Sequence, residues 1–347
     1  MAKRDAGIET LRGLALVLMV AGHVIGAHQK IGMHVADDSW WRYFYVTLAP
    51  YRMPLFTTIS GFVYALRPIT RDTVVDFATG KVRRLLVPFV TVATLAYLAA
   101  WTMHEGLPYA PPHMWKIYCM PFSVFWFLQA IMLIFVYVGV ADLLQLMRSR
   151  AGWLLSLTTA SVAYLVLPRT TVFSFHSSLY LLPCFVLGVG LNRFSSAFAG
   201  WSVRGVLLML FAGSFALFQC RWLGWEPALL MERGLYLAAG TSGCALLFQV
   251  RRPFRPLAWL GKYAYGVYLV HIVFVSISHQ FLHRTVGQVP SWLEFIVGLP
   301  ISLVVPILIE RSVQGLPWVP LLIFGQRTRV PLPVPAAARP PARGIVR

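Results

Sequence analysis

The sequence predicts an all-α integral membrane protein with about ten transmembrane helices and both termini in the cytoplasm. Of its 347 residues, 58% are apolar and 12% are charged, and the mean hydropathy is +0.68. A soluble chain is about a quarter charged, and many apolar stretches here are long enough to cross a hydrocarbon core about 30 Å thick. The formal charge of +18 comes from basic residues between the apolar stretches, not along one stripe. The sequence therefore predicts a lipid bilayer as a partner and no nucleic-acid binding.

Ten apolar segments are predicted spans, covering approximately residues 11–28, 45–66, 85–103, 122–142, 152–167, 177–192, 203–220, 228–249, 261–282 and 293–313. The tract from Pro168 to Ser178 is a candidate for re-entry into the membrane. Ser60-Gly61 and Gly188-Val189-Gly190 are predicted to allow close helix packing. The four cysteines form no CxxC pair, so no metal site and no disulfide framework are predicted.

The basic residues also predict the orientation. With the N-terminus inside, 22 of the 30 Lys and Arg residues fall in the inner segments. The first apolar run carries His23 and lacks a small-residue cleavage site, so we expect a retained span in a multi-pass protein of the inner (cytoplasmic) membrane. Residues 1–324 are predicted to form one transmembrane domain. The Pro- and Arg-rich residues 325–347 are predicted to form a disordered cytoplasmic tail.

Two ionisable residues stand out in the first span. Arg12 and His23 are eleven residues apart, which places both on one face of a helix and about 16 Å apart along its axis. Ionisable groups within a span usually face the protein interior or a wet cavity. Taken alone, the pair has two interpretations: a lipid-anchoring arginine with an interhelical histidine, or a functional site.

Five motifs in order carry a family resemblance: Ile8 to Ala15 followed by His23, Met53 to Phe62, Lys81 to Pro88, Phe125 to Leu128, and Leu260 to His271. Together they resemble the acyltransferase 3 family of membrane O-acyltransferases. The Met-Pro-Leu-Phe and Arg-Leu-Leu-Val-Pro patterns are most similar to the fucose O-acetylase or nodulation-factor acetyltransferase type. One departure is that Lys81 stands where the family's Arg-x-x-Arg motif begins, and lysine lacks the bidentate fork of arginine.

The resemblance implies transfer of an acyl group, acetyl above all, from cytoplasmic acyl-CoA to a saccharide hydroxyl at or beyond the outer side. Acyl-CoA is then the donor substrate, and no permanently bound cofactor is expected. His23 is the predicted catalytic residue, either as general base or as transient acyl carrier, and both routes remain open. Arg12 is predicted to assist it and, with Lys81, Arg83 and Arg84, to bind the CoA phosphates. Topology alone also explains the loop cations.

Four further residues are candidates for contact with the acceptor: Arg52, Trp126, Tyr268 and His271. Each has a structural alternative, namely a carboxylate partner for Arg52, interfacial anchoring for the aromatic residues and a helix-packing hydrogen bond for His271. The rival functions are a saccharide exporter or proton-coupled transporter, and an inert scaffold. The sequence has no repeated halves and no mid-span acidic relay, which disfavours a transporter, and it does not indicate an oligomeric state.

Overall fold

The computed structural model describes residues 5–102, 111 and 113–327, and all regular structure within them is helical. The α-helices are α1 (Ala6–Ile25), α2 (Trp40–Ala65), α3 (Val74–Lys81), α4 (Val87–Thr102), α5 (Lys116–Cys119), α6 (Trp126–Leu143), α7 (Arg150–Val166), α8 (Phe175–Arg193), α9 (Trp201–Gln219), α10 (Leu229–Val250), α11 (Arg255–Gly261), α12 (Ala264–Val286), α13 (Ser291–Ser312) and α14 (Val319–Phe324). A π-helix, Val82–Leu86, joins α3 to α4. The predicted all-α membrane class is confirmed.

Seven segments of the described residues are long and apolar enough to cross a membrane. They contain α1, α4, α6, α8, α9, α12 and α13. The other three predicted spans are also helical, as α2, α7 and α10. However, α2 carries two arginines, α7 has 17 residues, and α10 has Glu232 and Arg233 near its start. The count of ten spans therefore stays a prediction.

The first helix begins earlier than the apolar pattern indicates. Asp5 is the N-cap of α1 and accepts hydrogen bonds from the backbone N–H groups of Gly7 (2.8 Å) and Ile8 (3.3 Å). Arg12 is consequently more than one turn inside the helix, and His23 lies in its last turn. Below, the end of the molecule that carries the start of α1 is called the inner end.

Glycines let the central helices approach closely. A Cβ at Gly61 of α2 would lie 2.0 Å from the carbonyl oxygen of Phe185, and one at Gly188 of α8 would lie 2.1 Å from that of Thr58. Any larger residue at either position would push α2 and α8 apart. The predicted close packing is confirmed for Gly61 and Gly188.

Helix α1 lies at the centre of the half of the molecule that contains the candidate site, in contact with α2, α11, α12 and α13. Gly13 meets the carbonyl of Leu257, and Gly261 meets the carbonyl of Glu9, so the short helix α11 lies directly against the inner half of α1. After α11 the chain turns at Lys262 and continues outward as α12. This arrangement brings a residue of α12 beside the outer end of α1.

Two predicted tracts are more packed than the sequence indicates. Ser174, in the proposed re-entrant tract, is buried and donates a hydrogen bond to Gln129 of α6. At the start of the predicted tail, Gly325 lies against Arg83, and Gln326 donates a hydrogen bond of 2.7 Å to Glu310. The rest of that tail, residues 328–347, lies outside the described residues.

Candidate active site

Two histidines that are 248 residues apart in sequence meet inside the helical bundle. The ring centroids of His23 on α1 and His271 on α12 are 5.1 Å apart, and the rings are tilted by 50°. His23 is half-buried, whereas His271 is fully buried. The structure thus brings the predicted catalytic residue together with one of the predicted acceptor-binding residues.

The hydrogen bonds of His271 determine which nitrogen of its ring carries the proton. Its Nδ1 lies 3.1 Å from the carbonyl oxygen of Val267 and 2.8 Å from that of Tyr268. Carbonyls only accept, so Nδ1 must be the donor, and the neutral ring then has its lone pair on Nε2. That Nε2 is buried and has no hydrogen-bond partner among the described residues. His271 therefore offers an unused acceptor close to His23.

Arg52 is the third residue of the candidate site, beside His23 and His271. It is the thirteenth of the 26 residues of α2, and a Cβ at Gly22, the neighbour of His23, would lie 1.8 Å from its Nη1 atom. Its Nη2 donates to the carbonyl of Tyr45 (3.2 Å), and its guanidinium lies 4.1 Å from the centroid of the Tyr45 ring. No carboxylate pairs with Arg52 in the described part of the chain, so the structural ion pair weighed above is not formed there. Its guanidinium lies next to the backbone of α1 one residue before His23.

The sequence around Arg52 explains why α2 holds it there. Pro54 has no backbone N–H, so the carbonyl of Pro50 is left without its helical partner. Gly240 of α10 packs at this carbonyl, where a Cβ would lie 2.8 Å from the oxygen. Thr57 and Thr58 donate to the carbonyls of Met53 and Pro54, both at 2.9 Å. The middle of α2 is thus fixed on both sides of Arg52.

Arg12 lies towards the inner end of the same helix as His23. Its Nη1 is 2.8 Å from Oε1 of Glu9, and the side chains of Arg12 and Glu9 are 27% and 8% exposed. Glu9 pairs with Arg12, while Asp5 caps the helix and lies 3.8 Å from Nε of Arg251. Arg12 keeps its remaining donors available at the partly exposed inner surface.

The basic motif of residues 81–84 runs into the π-helix. Pro88 has no N–H to donate to the carbonyl four residues earlier, that of Arg84, and a proline ring also crowds that carbonyl. The hydroxyl of Tyr265 on α12 donates to this carbonyl instead. Isolated π-turns of this kind are frequent at functional sites. The π-helix is thereby tied to α12 six residues before His271.

The three cations of this motif have different environments. Lys81 turns inward, with its Nζ 3.3 Å from the ring centroid of Phe135 and 5.0 Å from that of Phe77. Arg83 is half-buried and Arg84 is exposed. The two arginines are thus better placed for a soluble ligand than Lys81, whose ammonium is held over aromatic rings.

The predicted aromatic contacts lie close to His271. Tyr268 is buried, and its hydroxyl donates a hydrogen bond of 2.6 Å to the carbonyl of Val124. Its ring packs edge-on against Phe127, which in turn contacts half-buried Trp126. In this structure Tyr268 positions His271, through the backbone carbonyl described above and the packing of α12. Contact of either aromatic residue with the acceptor stays a prediction.

Sequence reasoning missed a line of polar side chains that leads outward from the histidine pair, between α12 and α13. Its described members with a buried polar atom that lacks a partner are His279 and Glu294, and Ser302, which has a similar atom, lies closer to the inner end of α13. Gly298 lies among them, since a Cβ there would be 3.6 Å from Nε2 of His279 and 3.4 Å from a methyl group of Val24, the residue after His23. At the outer end, Nε2 of His283 is 3.4 Å from Oε1 of Glu294. The signal was present as spacing by four, in 271–275–279–283 and in 294–298–302.

A family model of an acyltransferase domain, acyltransferase 3, matches residues 5–311. The chain belongs to the acyltransferase 3 family. The match covers every residue described in this section, from the N-cap of α1 to α13. The protein is therefore a membrane acyltransferase. No curated protein and no solved structure matches the chain. The apolar helices and the family together make this acyltransferase a multi-pass membrane protein.

Proposed function

We propose that this acyltransferase moves an acetyl group from cytoplasmic acyl-CoA to a hydroxyl of a saccharide that is presented from the outer side. The observation that carries the proposal is the half-buried imidazole of His23, 5.1 Å from the ring of His271 with its unused Nε2 acceptor, and next to Gly22, against which the guanidinium of Arg52 packs. A base, a group that orients the base and a fixed positive charge are what acyl transfer to an alcohol requires.

In the direct route, each of the three residues has one role. One nitrogen of His23 takes the proton of the acceptor hydroxyl as its oxygen attacks the thioester carbonyl. The other N–H of His23 donates to Nε2 of His271 in this route, which holds the reactive tautomer. Arg52 stabilises the oxyanion of the tetrahedral intermediate. When the C–S bond breaks, His23 returns the proton to the CoA thiolate, so no net proton is released.

In the acyl-carrier route, a nitrogen of His23 attacks the thioester first and CoA leaves as the thiol. The acceptor hydroxyl then attacks the acyl-imidazole. Rapid quenching with labelled acetyl-CoA in the absence of acceptor separates the two routes. Label on the wild-type protein that is lost in His23→Ala indicates the carrier, and absence of label indicates direct transfer.

The positions of the cations favour entry of the donor from the inner end. Arg12 lies about 16 Å inward of His23 along α1. The π-helix that carries Arg83 and Arg84 is bonded to Tyr265, about 9 Å inward of His271 along α12. Cations on two elements thus approach the histidine pair from the same side. Arginine at such positions is suited to the phosphates of CoA.

The polar line between α12 and α13 favours entry of the acceptor from the opposite end. Buried polar atoms without protein partners need water or a ligand, especially inside a membrane. His279 and Glu294 supply such atoms on the outer side of the histidine pair, and Ser302 supplies one on α13 a turn inward of Gly298. A polyhydroxylated acceptor can both donate to and accept from this set. The fucose or nodulation-factor type of acceptor rests on the motif resemblance alone.

The experiment is mass spectrometry of surface saccharides from cells with the wild-type protein, a deletion, His23→Ala, and His113→Ala as a matched histidine control at an exposed position. We expect an acetyl mass increment in the wild type and in His113→Ala only. Survival of the increment in His23→Ala cells at normal protein level would contradict the proposal. An exporter would instead leave unmodified saccharide inside the deletion cells.

A further inference from the structure

A second candidate site lies at the inner end, where helices α2, α8, α9 and α10 meet. It is a cavity of about 350 Å³, and its aromatic wall is formed by Phe62, Phe198 and Phe248. None of its lining residues belongs to α11, α12 or the basic motif of residues 81–84. It is not lined by Arg12, Arg83 or Arg84, the residues proposed above to bind the donor, although its Arg251 lies 3.8 Å from Oδ2 of Asp5 at the start of α1.

The cavity is built for a negative charge. Its charged lining residues are Arg204 and Arg251, and its amide side chains are Asn192 and Gln249, while no acidic residue lines it. Two buried donors on this wall, Nε of Arg204 and Nε2 of Gln249, have no partner among the described residues. Unused buried donors are costly, so together with two arginines they indicate an anionic ligand.

Both arginines are held in place by their surroundings. Arg251 donates a hydrogen bond of 2.7 Å to the carbonyl of Phe248 and lies 5.5 Å from the ring centroid of Phe62. Arg204 lies 5.1 Å from the ring centroid of Trp201. A pre-positioned guanidinium loses less freedom on binding, and its planar fork matches a phosphate.

We propose that this cavity is a binding site for a phosphate group, held between Arg204 and Arg251. The headgroup of an anionic phospholipid and a soluble nucleotide such as CoA share this chemistry. The position of the cavity favours the lipid, because the cavity adjoins the exposed helix α9. Only 11% of the apolar stretch of α9 is buried, and its first residue, Trp201, is 83% exposed. The proposal does not depend on the roles assigned to His23 and His271.

The test is native mass spectrometry of the full-length protein titrated with phosphatidic acid, and with diacylglycerol of the same chains as the phosphate-free probe. The variants are Arg204→Gln with Arg251→Gln, and Ala199→Trp, which fills the cavity without changing its charge. Arg67→Gln with Arg71→Gln is the control, since it removes the same charge at exposed inner positions outside the cavity. The melting temperature of each variant is measured in parallel.

We expect phosphatidic acid to bind the wild type more tightly than diacylglycerol. Its affinity should fall about tenfold in the double arginine variant and in Ala199→Trp, and stay unchanged in the control. Displacement of phosphatidic acid by added CoA identifies the nucleotide as a ligand of the same site, and no displacement identifies the lipid. Equal affinity of the control and cavity variants for phosphatidic acid would overturn the proposal. If the double arginine variant does not fold, Ala199→Trp decides.

Discussion

Two arginines within the helical bundle, Arg52 on α2 and Arg233 on α10, have opposite environments. Arg233 is 5% exposed and its Nη1 donates to three carbonyls at the end of α7, those of Tyr164, Leu165 and Leu167. These carbonyls lie in the last turn, where helical partners are missing. Arg52 has one such bond, to Tyr45, and its Nη1 makes no hydrogen bond to a described residue. Nε of Arg233 is also buried without a partner among the described residues, so unused donors alone do not separate the two arginines. The difference is that Arg233 is bonded to the end of α7, whereas Arg52 lies beside Gly22, the neighbour of His23.

The strongest test of this contrast replaces each arginine by glutamine. Arg52→Gln should lower kcat about a hundredfold, because it removes the charge proposed to face the oxyanion, and should leave the melting temperature nearly unchanged. Arg233→Gln should lower the free energy of unfolding by about 3 kcal/mol, because carbonyls at the end of α7 lose a charged donor. Its folded fraction should keep the wild-type kcat.

The measurements are acyl transfer kinetics and thermal unfolding of the two variants in the same nanodiscs. A stable, active Arg52→Gln protein would remove Arg52 from the site. A stable but inactive Arg233→Gln protein would contradict the structural role of Arg233 and would show that its charge is needed for activity.

A third arginine, Arg12, sharpens the comparison because it is ion-paired and still partly exposed. Arg12→Ala should raise the KM for acyl-CoA about tenfold and leave the KM for the acceptor unchanged, since one charged phosphate contact is lost. Glu9 is buried, so Arg12→Ala alone leaves an unpaired carboxylate. The matched variant Arg12→Ala with Glu9→Gln removes that effect, and an unaltered acyl-CoA affinity in it would refute the donor assignment.

The same contrast shows how far sequence reasoning reaches. Hydropathy and basic-residue placement predict the membrane class, and motif order predicts the family, because both depend on local patterns. The spacing of Arg12 and His23 correctly places them on one helix. The meeting of His23 with His271 depends on how α11 packs against α1 and sends α12 outward, which no local pattern encodes.

The fate of each buried charge is also a tertiary property. Arg52 and Arg233 look alike in sequence, as single cations within apolar segments. Only the end of α7 beside Arg233 and Gly22 beside Arg52 distinguish them. The inward turn of Lys81 onto Phe135 is a similar case. The π-helix was nearer to prediction, since Pro88 necessarily frees the carbonyl of Arg84.

His271 separates orientation of the base from catalysis by it. His271→Asn keeps a donor near the carbonyls of Val267 and Tyr268 but removes the Nε2 acceptor. We expect kcat to fall about fivefold, the effect of one lost neutral hydrogen bond, with a small change in stability. In the same assay His23→Ala should be inactive. A loss as complete in His271→Asn as in His23→Ala would contradict a role for His271 that is limited to orienting His23.

The smallest expected effect comes from two glycines beside the two arginines. Gly234, next to Arg233, has open space where a Cβ would stand, whereas a Cβ at Gly22 would meet Nη1 of Arg52 at 1.8 Å. Alanine raises helix propensity equally at both positions, by about 1 kcal/mol, so the difference between the variants reports on Arg52. Gly234→Ala should keep wild-type kcat. Gly22→Ala should lower kcat about threefold, because a flexible side chain moves aside without unfolding the helix. In an Arg52→Gln background Gly22→Ala should have no further effect, and an additive loss there would mean that Gly22 acts on His23 by another route.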